Sequence, residues 1–184
     1  MFEEVDRMKK PFVCVITGPC GAGKSTIAKS LAEEVEGSVF LEVDSLREMI
    51  RNGYVSPSKY NSESKKQLQL GVKNTLDLTM NFLKSGFNVF IEDILEDESQ
   101  VKNYVRSLED YKLYMFVLLP NKKILVNRDG ERSKEKFMGK RTLELYDIFL
   151  ERSLKEKWIV LDTSNHSVGQ TKEEIMGIIS GGKL

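Results

Sequence analysis

Residues Gly18 to Thr26 read G-P-C-G-A-G-K-S-T, and Gly18, Gly23, Lys24 and Ser25 fill the fixed positions of the phosphate-binding pattern G-x-x-x-x-G-K-[ST]. Such a loop works only between a buried strand and the first turn of a helix, which constrains the whole fold. Both flanks comply. Phe12 to Thr17 is an unbroken apolar and β-branched run, as a strand covered on both faces requires, and Ser25 to Val35 has helical spacing. A phosphate must come close to the backbone so that successive N–H groups point at its oxygens, hence the glycines, and the helix N-terminus adds partial positive charge. Gly18, Pro19, Cys20, Gly21, Ala22, Gly23, Lys24, Ser25 and Thr26 are therefore the expected contacts of a nucleoside triphosphate. Lys24 is expected along the β- and γ-phosphates and the Ser25 hydroxyl on Mg²⁺, with Thr26 as the first buried helical contact.

The chain has 184 residues, enough for one α/β domain with a substantial core and short for two, so residues 1–184 are read as a single domain. Lys plus Arg and Asp plus Glu both number 28, which leaves no net positive charge for general nucleic-acid binding. Met1 to Lys10 is charged throughout and unlike a signal peptide, and no later run approaches the length of a membrane span, so the expected location is cytoplasmic. Cys14 and Cys20 fit reduced thiols and have no metal-ligand spacing; His166, the single histidine, lies in a polar stretch that reads as a surface loop.

Along the chain, a second strand is expected over Ser38 to Val43, ending at Asp44, with a helix from Asp44 to Arg51 and an ordered loop from Asn52 to Asn61. Leu68, Val72, Leu76, Met80 and Leu83 recur three or four apart and predict one long helix from Ser62 to Lys84, ended by Gly86. Strands over Phe87 to Ile91, Leu113 to Leu119 and Trp158 to Leu161 alternate with helices over Glu98 to Leu108, Lys122 to Arg128, Lys140 to Ser153 and Ser167 to Ile179. That alternation predicts a parallel sheet covered on both faces. Asp129 to Gly139 is dense in charge and suits a mobile flap, taken as about residues 128–139; Gly181 to Leu184 reads as a frayed tail.

The carboxyl ends of the strands form the ligand crevice of such a sheet. Asp44 stands at one of them. A carboxylate there can take the proton of an attacking hydroxyl, or it can merely cap the following helix. Ser45 and Glu48 have the spacing of a capping box, which would leave Asp44 free; Arg47, one turn on, could hold a γ-phosphate or an anionic acceptor. Asp93 occupies the position from which a carboxylate reaches Mg²⁺, or else is a polar strand terminus, and Glu92 is expected to point the other way. Arg128 and Arg132, in R-D-G-E-R, could clamp the nucleotide or simply be solvated; Lys134, Lys136, Lys140 and Arg141 are read as solvated charges, one of which could join the clamp. Asp162 to His166 either borders an adenine or forms a polar turn.

Together, G-P-C-G-A-G-K-S-T, V-D-S-L-R at Val43 to Arg47, N-V-F-I-E-D at Asn88 to Asp93, R-D-G-E-R and V-L-D-T-S at Val160 to Ser164 resemble the small P-loop kinases related to chloramphenicol phosphotransferase and the kinase domain of polynucleotide kinase, within the nucleoside monophosphate kinase-like group. The resemblance covers nearly the whole chain. It implies a three-layer P-loop NTPase fold with a five-stranded parallel sheet, ATP and Mg²⁺, Asp44 as catalytic base, Arg47 assisting at the phosphoryl or acceptor group, and Arg128 and Arg132 closing on ATP. The acceptor implied is a hydroxyl-bearing small molecule; its identity does not carry over. Tyr54, Lys59, Tyr60 and Asn61 are the candidate acceptor lining. A nucleic-acid 5′-hydroxyl or nucleotide acceptor is the rival within enzymes, and an ATP-binding switch or sensor the rival outside them. A GTPase is disfavoured, since no D-x-x-G follows the loop and N-K-K-I at Asn121 to Ile124 lacks the guanine-reading aspartate.

Overall fold

The structure, a computed structural model, describes residues 10–59, 61–134, 137–153 and 158–181. Five strands, β1 (Phe12–Thr17), β2 (Ser38–Glu42), β3 (Asn88–Glu92), β4 (Lys112–Leu118) and β5 (Ile159–Leu161), form one parallel sheet in the order β2-β3-β1-β4-β5. Among the described residues seven α-helices connect and cover it: α1 (Lys24–Glu34), α2 (Val43–Glu48), α3 (Ser62–Lys84), α4 (Glu98–Ser107), α5 (Lys122–Gly130), α6 (Lys140–Ser153) and α7 (Val168–Ile179). This is the expected three-layer α/β architecture.

Strand periodicity explains the layers, because successive side chains leave opposite faces. Cys14 and Ile16 of β1, with Phe90 of β3 and Phe116 of β4, pack against Ile27 and Leu31 of α1, Leu125 of α5 and Ile175 of α7. Val13, Val15, Val89 and Ile91 face the other way, onto Val72 and Leu83 of α3 and Val101, Tyr104 and Leu108 around α4. Burial pushes the Cys14 thiol far above its ordinary range, so it behaves as an apolar core group. Among the described residues no helix is long and apolar enough to cross a membrane.

Two boundaries move in ways that matter for the site. β2 ends at Glu42 and α2 starts at Val43, so Asp44 lies in the first turn of the helix and not at the strand end. The expected Ser45 and Glu48 capping box does not form: Glu42 occupies the N-cap position and the Ser45 hydroxyl donates to its carboxylate. α2 also stops at Glu48, short of Arg51. At the other end of the predicted acceptor loop, Asn61 is the N-cap of α3, its side chain accepting from the Ser64 N–H at 2.8 Å while the Ser64 hydroxyl accepts from the Asn61 N–H at 2.9 Å. That box removes Asn61 from the acceptor lining. Lys59 is exposed and ends a 3₁₀ turn, Pro57–Lys59; Tyr60, Lys136 and the last three residues of the tail lie outside the described residues.

Candidate active site

The phosphate loop turns directly out of β1, and glycine is indispensable at two of its positions. Gly18 has φ 140°, and a Cβ there would lie 2.3 Å from the Leu118 carbonyl oxygen at the end of β4. Gly21 has φ 77°, and its Cβ would lie 3.2 Å from the carbonyl oxygen of Leu125 in α5. The loop is thus pressed between two neighbouring elements, which fixes its backbone N–H groups before any ligand arrives. Cys20 and Ala22 are buried, whereas Ser25 and Thr26 are exposed and line a cavity of about 470 Å³. Thr26 is therefore not the first core contact of α1; Ile27 and Ala28 are.

Lys24 opens α1 nearly buried, its ammonium 3.4 Å from Glu92 Oε1 and donating to the Pro19 carbonyl oxygen at 3.3 Å. Glu92 and Asp93 do point to opposite faces, as expected, but it is Glu92 that meets the phosphate-loop lysine. β3 continues through Glu92, so alternation sends Glu92 to the α1 face with Phe90. Burial holds the Glu92 carboxyl above the usual carboxylate range, and the Lys24 charge opposes that rise.

Asp93 points to the other layer. Its carboxylate accepts from the Tyr104 hydroxyl at 3.0 Å and from the Ile94 N–H at 2.8 Å. Burial, reinforced by the Glu92 charge, pushes it from the ordinary 3.8 up to about 7 despite those two hydrogen bonds. A carboxyl that binds its proton more tightly when folded stabilises below its unfolded pKa and loses that contribution as pH rises through the folded one. In metal-free protein the stability of the wild type relative to Asp93→Asn is accordingly expected to fall as pH is raised from 3.8 to about 7; paired denaturant titrations over that range check it.

The remaining predicted residues converge on the same cavity. Asp44 is half-exposed, its side chain at 51% accessibility, and accepts from Arg47 Nη1 at 2.8 Å; the Arg47 side chain is 1% accessible. The second terminal nitrogen of Arg47 reaches the Val55 carbonyl oxygen at 3.5 Å, and its guanidinium lies 5.9 Å from the centre of the Tyr54 ring. Arg128 and Arg132 line the same cavity together with Arg141; Arg141 contacts Glu96 and, at 3.3 Å, Glu144.

The predicted flap has a different foundation from a run of solvated charges. α5 continues through Gly130, and Asp129 is 1% exposed. Its carboxylate accepts from the Gly139 N–H at 2.7 Å and the Met138 N–H at 3.2 Å, and lies 3.4 Å from Arg132 Nη1. One buried carboxylate therefore closes the base of the segment over 131–139 and orients Arg132. Asp162 to Ser164 does form a polar turn, Asp162 accepting from the Ser164 N–H at 3.0 Å, and these residues do not line the cavity.

A phosphate loop, a lysine, several arginines and a half-exposed carboxylate in one cavity are the parts that phosphoryl transfer needs. Comparison with known proteins agrees. The chain is 25% identical over 143 residues to a guanylate kinase of Onion yellows phytoplasma, a match covering 69% of this chain and 66%, just under two thirds, of that enzyme. Its fold superposes on the Deinococcus radiodurans tunicamycin resistance protein with a TM-score of 0.69 at 18% identity, covering 95% of this chain and 98% of that one. A gluconokinase from Sinorhizobium meliloti 1021 gives a TM-score of 0.66 at 17% identity, covering 94% and 93%. The family model for Zeta toxin matches residues 2–152, and the chain therefore belongs to the Zeta toxin family of P-loop kinases.

Proposed function

We propose that this kinase moves the γ-phosphate of ATP onto a hydroxyl of a small-molecule acceptor, with Asp44 as the general base. The observation that carries the reading is a half-exposed carboxylate on the phosphate-loop cavity, oriented by a buried arginine at 2.8 Å. The backbone N–H groups of Cys20 to Thr26 and the Lys24 ammonium hold the triphosphate. Asp44 takes the hydroxyl proton as the acceptor oxygen bonds to the γ-phosphorus, and the bond to the bridging oxygen breaks with its electron pair leaving on ADP. Arg128 and Arg132 meet the charge that spreads over the transferring group.

Mg²⁺ fits this cavity as an ion that arrives with the nucleotide. Ser25 and Asp93 contribute hard oxygen donors, and among the described residues no group of three His, Cys, Asp or Glu side chains could cage a metal alone. Ser25 would hold it directly and Asp93, whose two oxygens already accept from the Ile94 N–H and the Tyr104 hydroxyl, only through water; bound there, it would neutralise charge on the nucleotide's phosphates.

The likeness to guanylate kinases favours a second reading, a nucleotide acceptor. Against it, Arg47 and Arg141 each already contact a carboxylate, Asp44 and Glu96, and Glu42 and Glu48 add further negative charge to the lining. An acceptor phosphate would have to displace those pairs, whereas hydroxyl groups can donate to them. ADP release from Mg-ATP should therefore be stimulated by members of a panel of sugars, nucleosides and aminoglycoside- or phenicol-type antibiotics, and not by nucleoside monophosphates or 5′-hydroxyl oligonucleotides. Stimulation confined to the monophosphates would establish the second reading instead.

A further inference from the structure

α3 carries a glycine, Gly71, in the interior of a 23-residue helix, where glycine is a poor helix former. Space explains it. A Cβ on Gly71 would lie 2.7 Å from Arg47 Cγ, 3.0 Å from Arg47 Cδ and 3.3 Å from Val43 Cγ1. The Arg47 stem crosses α3 at this notch and delivers its guanidinium to Asp44 and to the Val55 carbonyl.

One turn earlier on the same helix face stands Gln67, 4% exposed. Its side-chain carbonyl accepts from the Val55 N–H at 2.9 Å, and its amide donates to the Gly53 carbonyl at 2.8 Å. Val55 is thus gripped at its N–H by Gln67 and at its carbonyl by Arg47, with Tyr54 held between Gly53 and Val55.

We propose that Gly71 and Gln67 are positioning residues, which set the Asp44–Arg47 pair and the Tyr54 segment from a helix that supplies neither the base nor the phosphate loop. The proposal rests on the reading of Asp44 as the base. A larger residue at 71 would lift Arg47 off its track and turn the Asp44 carboxylate away, while the phosphate loop, built on β1 and α1, stays intact.

The decisive experiment is a double-mutant cycle of Gly71→Ala with Arg47→Ala, read by melting temperature. In the wild-type background Gly71→Ala should lower the melting temperature and displace the Arg47 Nε–H resonance, assigned by its absence in Arg47→Ala. It should also reduce ADP release from Mg-ATP by about tenfold or more while the Kd for a fluorescent ATP analogue stays within about twofold. In the Arg47→Ala background the same substitution should raise the melting temperature, because only the 3.3 Å approach to the Val43 methyl remains, which a shift of a few tenths of an ångström relieves, and alanine is the better helix former. Gln67→Leu should reproduce the loss of ADP release at unchanged nucleotide affinity.

Equal destabilisation in both backgrounds, or an unmoved Arg47 resonance, would overturn the proposal. If Gly71→Ala alone does not fold, recovery of folding in the double variant supports it and failure of both overturns it. Failure of the Asp44 reading looks different: ADP release would then ignore Asp44→Asn, while the reversal in melting temperature would persist.

Discussion

Asp44→Asn is expected to lower kcat for phosphoryl transfer by roughly a hundredfold or more, with ATP affinity unchanged to within about twofold. Asn keeps the shape of the side chain and an oxygen that can accept from Arg47, so the 2.8 Å contact survives in form. What it loses is the capacity to take a proton. The alternative, that Asp44 serves the helix, has weak footing, since Glu42 and not Asp44 stands at the N-cap of α2. Charge at the first turn of a six-residue helix is a minor stabiliser, typically about 0.3–1 kcal/mol, so a large kinetic loss with a small stability change separates the two roles. Steady-state kinetics and nucleotide titration on the same preparation provide the check; equal loss of ATP binding would remove Asp44 from the chemistry.

Lys24→Ala should abolish transfer and weaken nucleotide binding, and it should also destabilise the fold by on the order of 3 kcal/mol at neutral pH, because Glu92 is left buried without its cation. The pH dependence identifies the cause. Without Lys24 the folded-state pKa of Glu92 rises further, so the variant is closest to wild type where Glu92 is protonated in both folded proteins and falls away as pH rises through the wild type's already raised folded-state pKa. Adding Glu92→Gln should recover most of the stability and none of the transfer. Chemical denaturation at several pH values, with ADP release measured alongside, tests both halves.

The phosphate loop and the alternation of strands and helices were legible because each depends on local pattern: glycines at fixed spacing, apolar periods of two and of three to four. The Glu92–Asp93 pair shows where such reading stops. Alternation gives their opposite faces, but which face carries Lys24 depends on how α1 packs across the sheet, a long-range contact that local pattern does not hold. Asp129 looked like part of a solvated charge run, since nothing local announces that the Met138 and Gly139 N–H groups return to its carboxylate. Two signals were present in the sequence and went unused. Asn61 and Ser64 have capping-box spacing immediately before the long helix, and Gly71 interrupts an otherwise regular helical run, which asks for a packing reason.

Transfer of the γ-phosphate onto an acceptor hydroxyl, with Asp44 as the base, can be followed on the phosphorus itself by ³¹P NMR. Wild-type protein and Asp44→Asn would be incubated with Mg-ATP and the acceptor that best stimulates ADP release. A phosphomonoester resonance that grows with ADP in the wild type and is lost in Asp44→Asn is the expected result. Inorganic phosphate alone, formed at equal rates by both proteins, would contradict it and leave an ATPase in which Asp44 has no part.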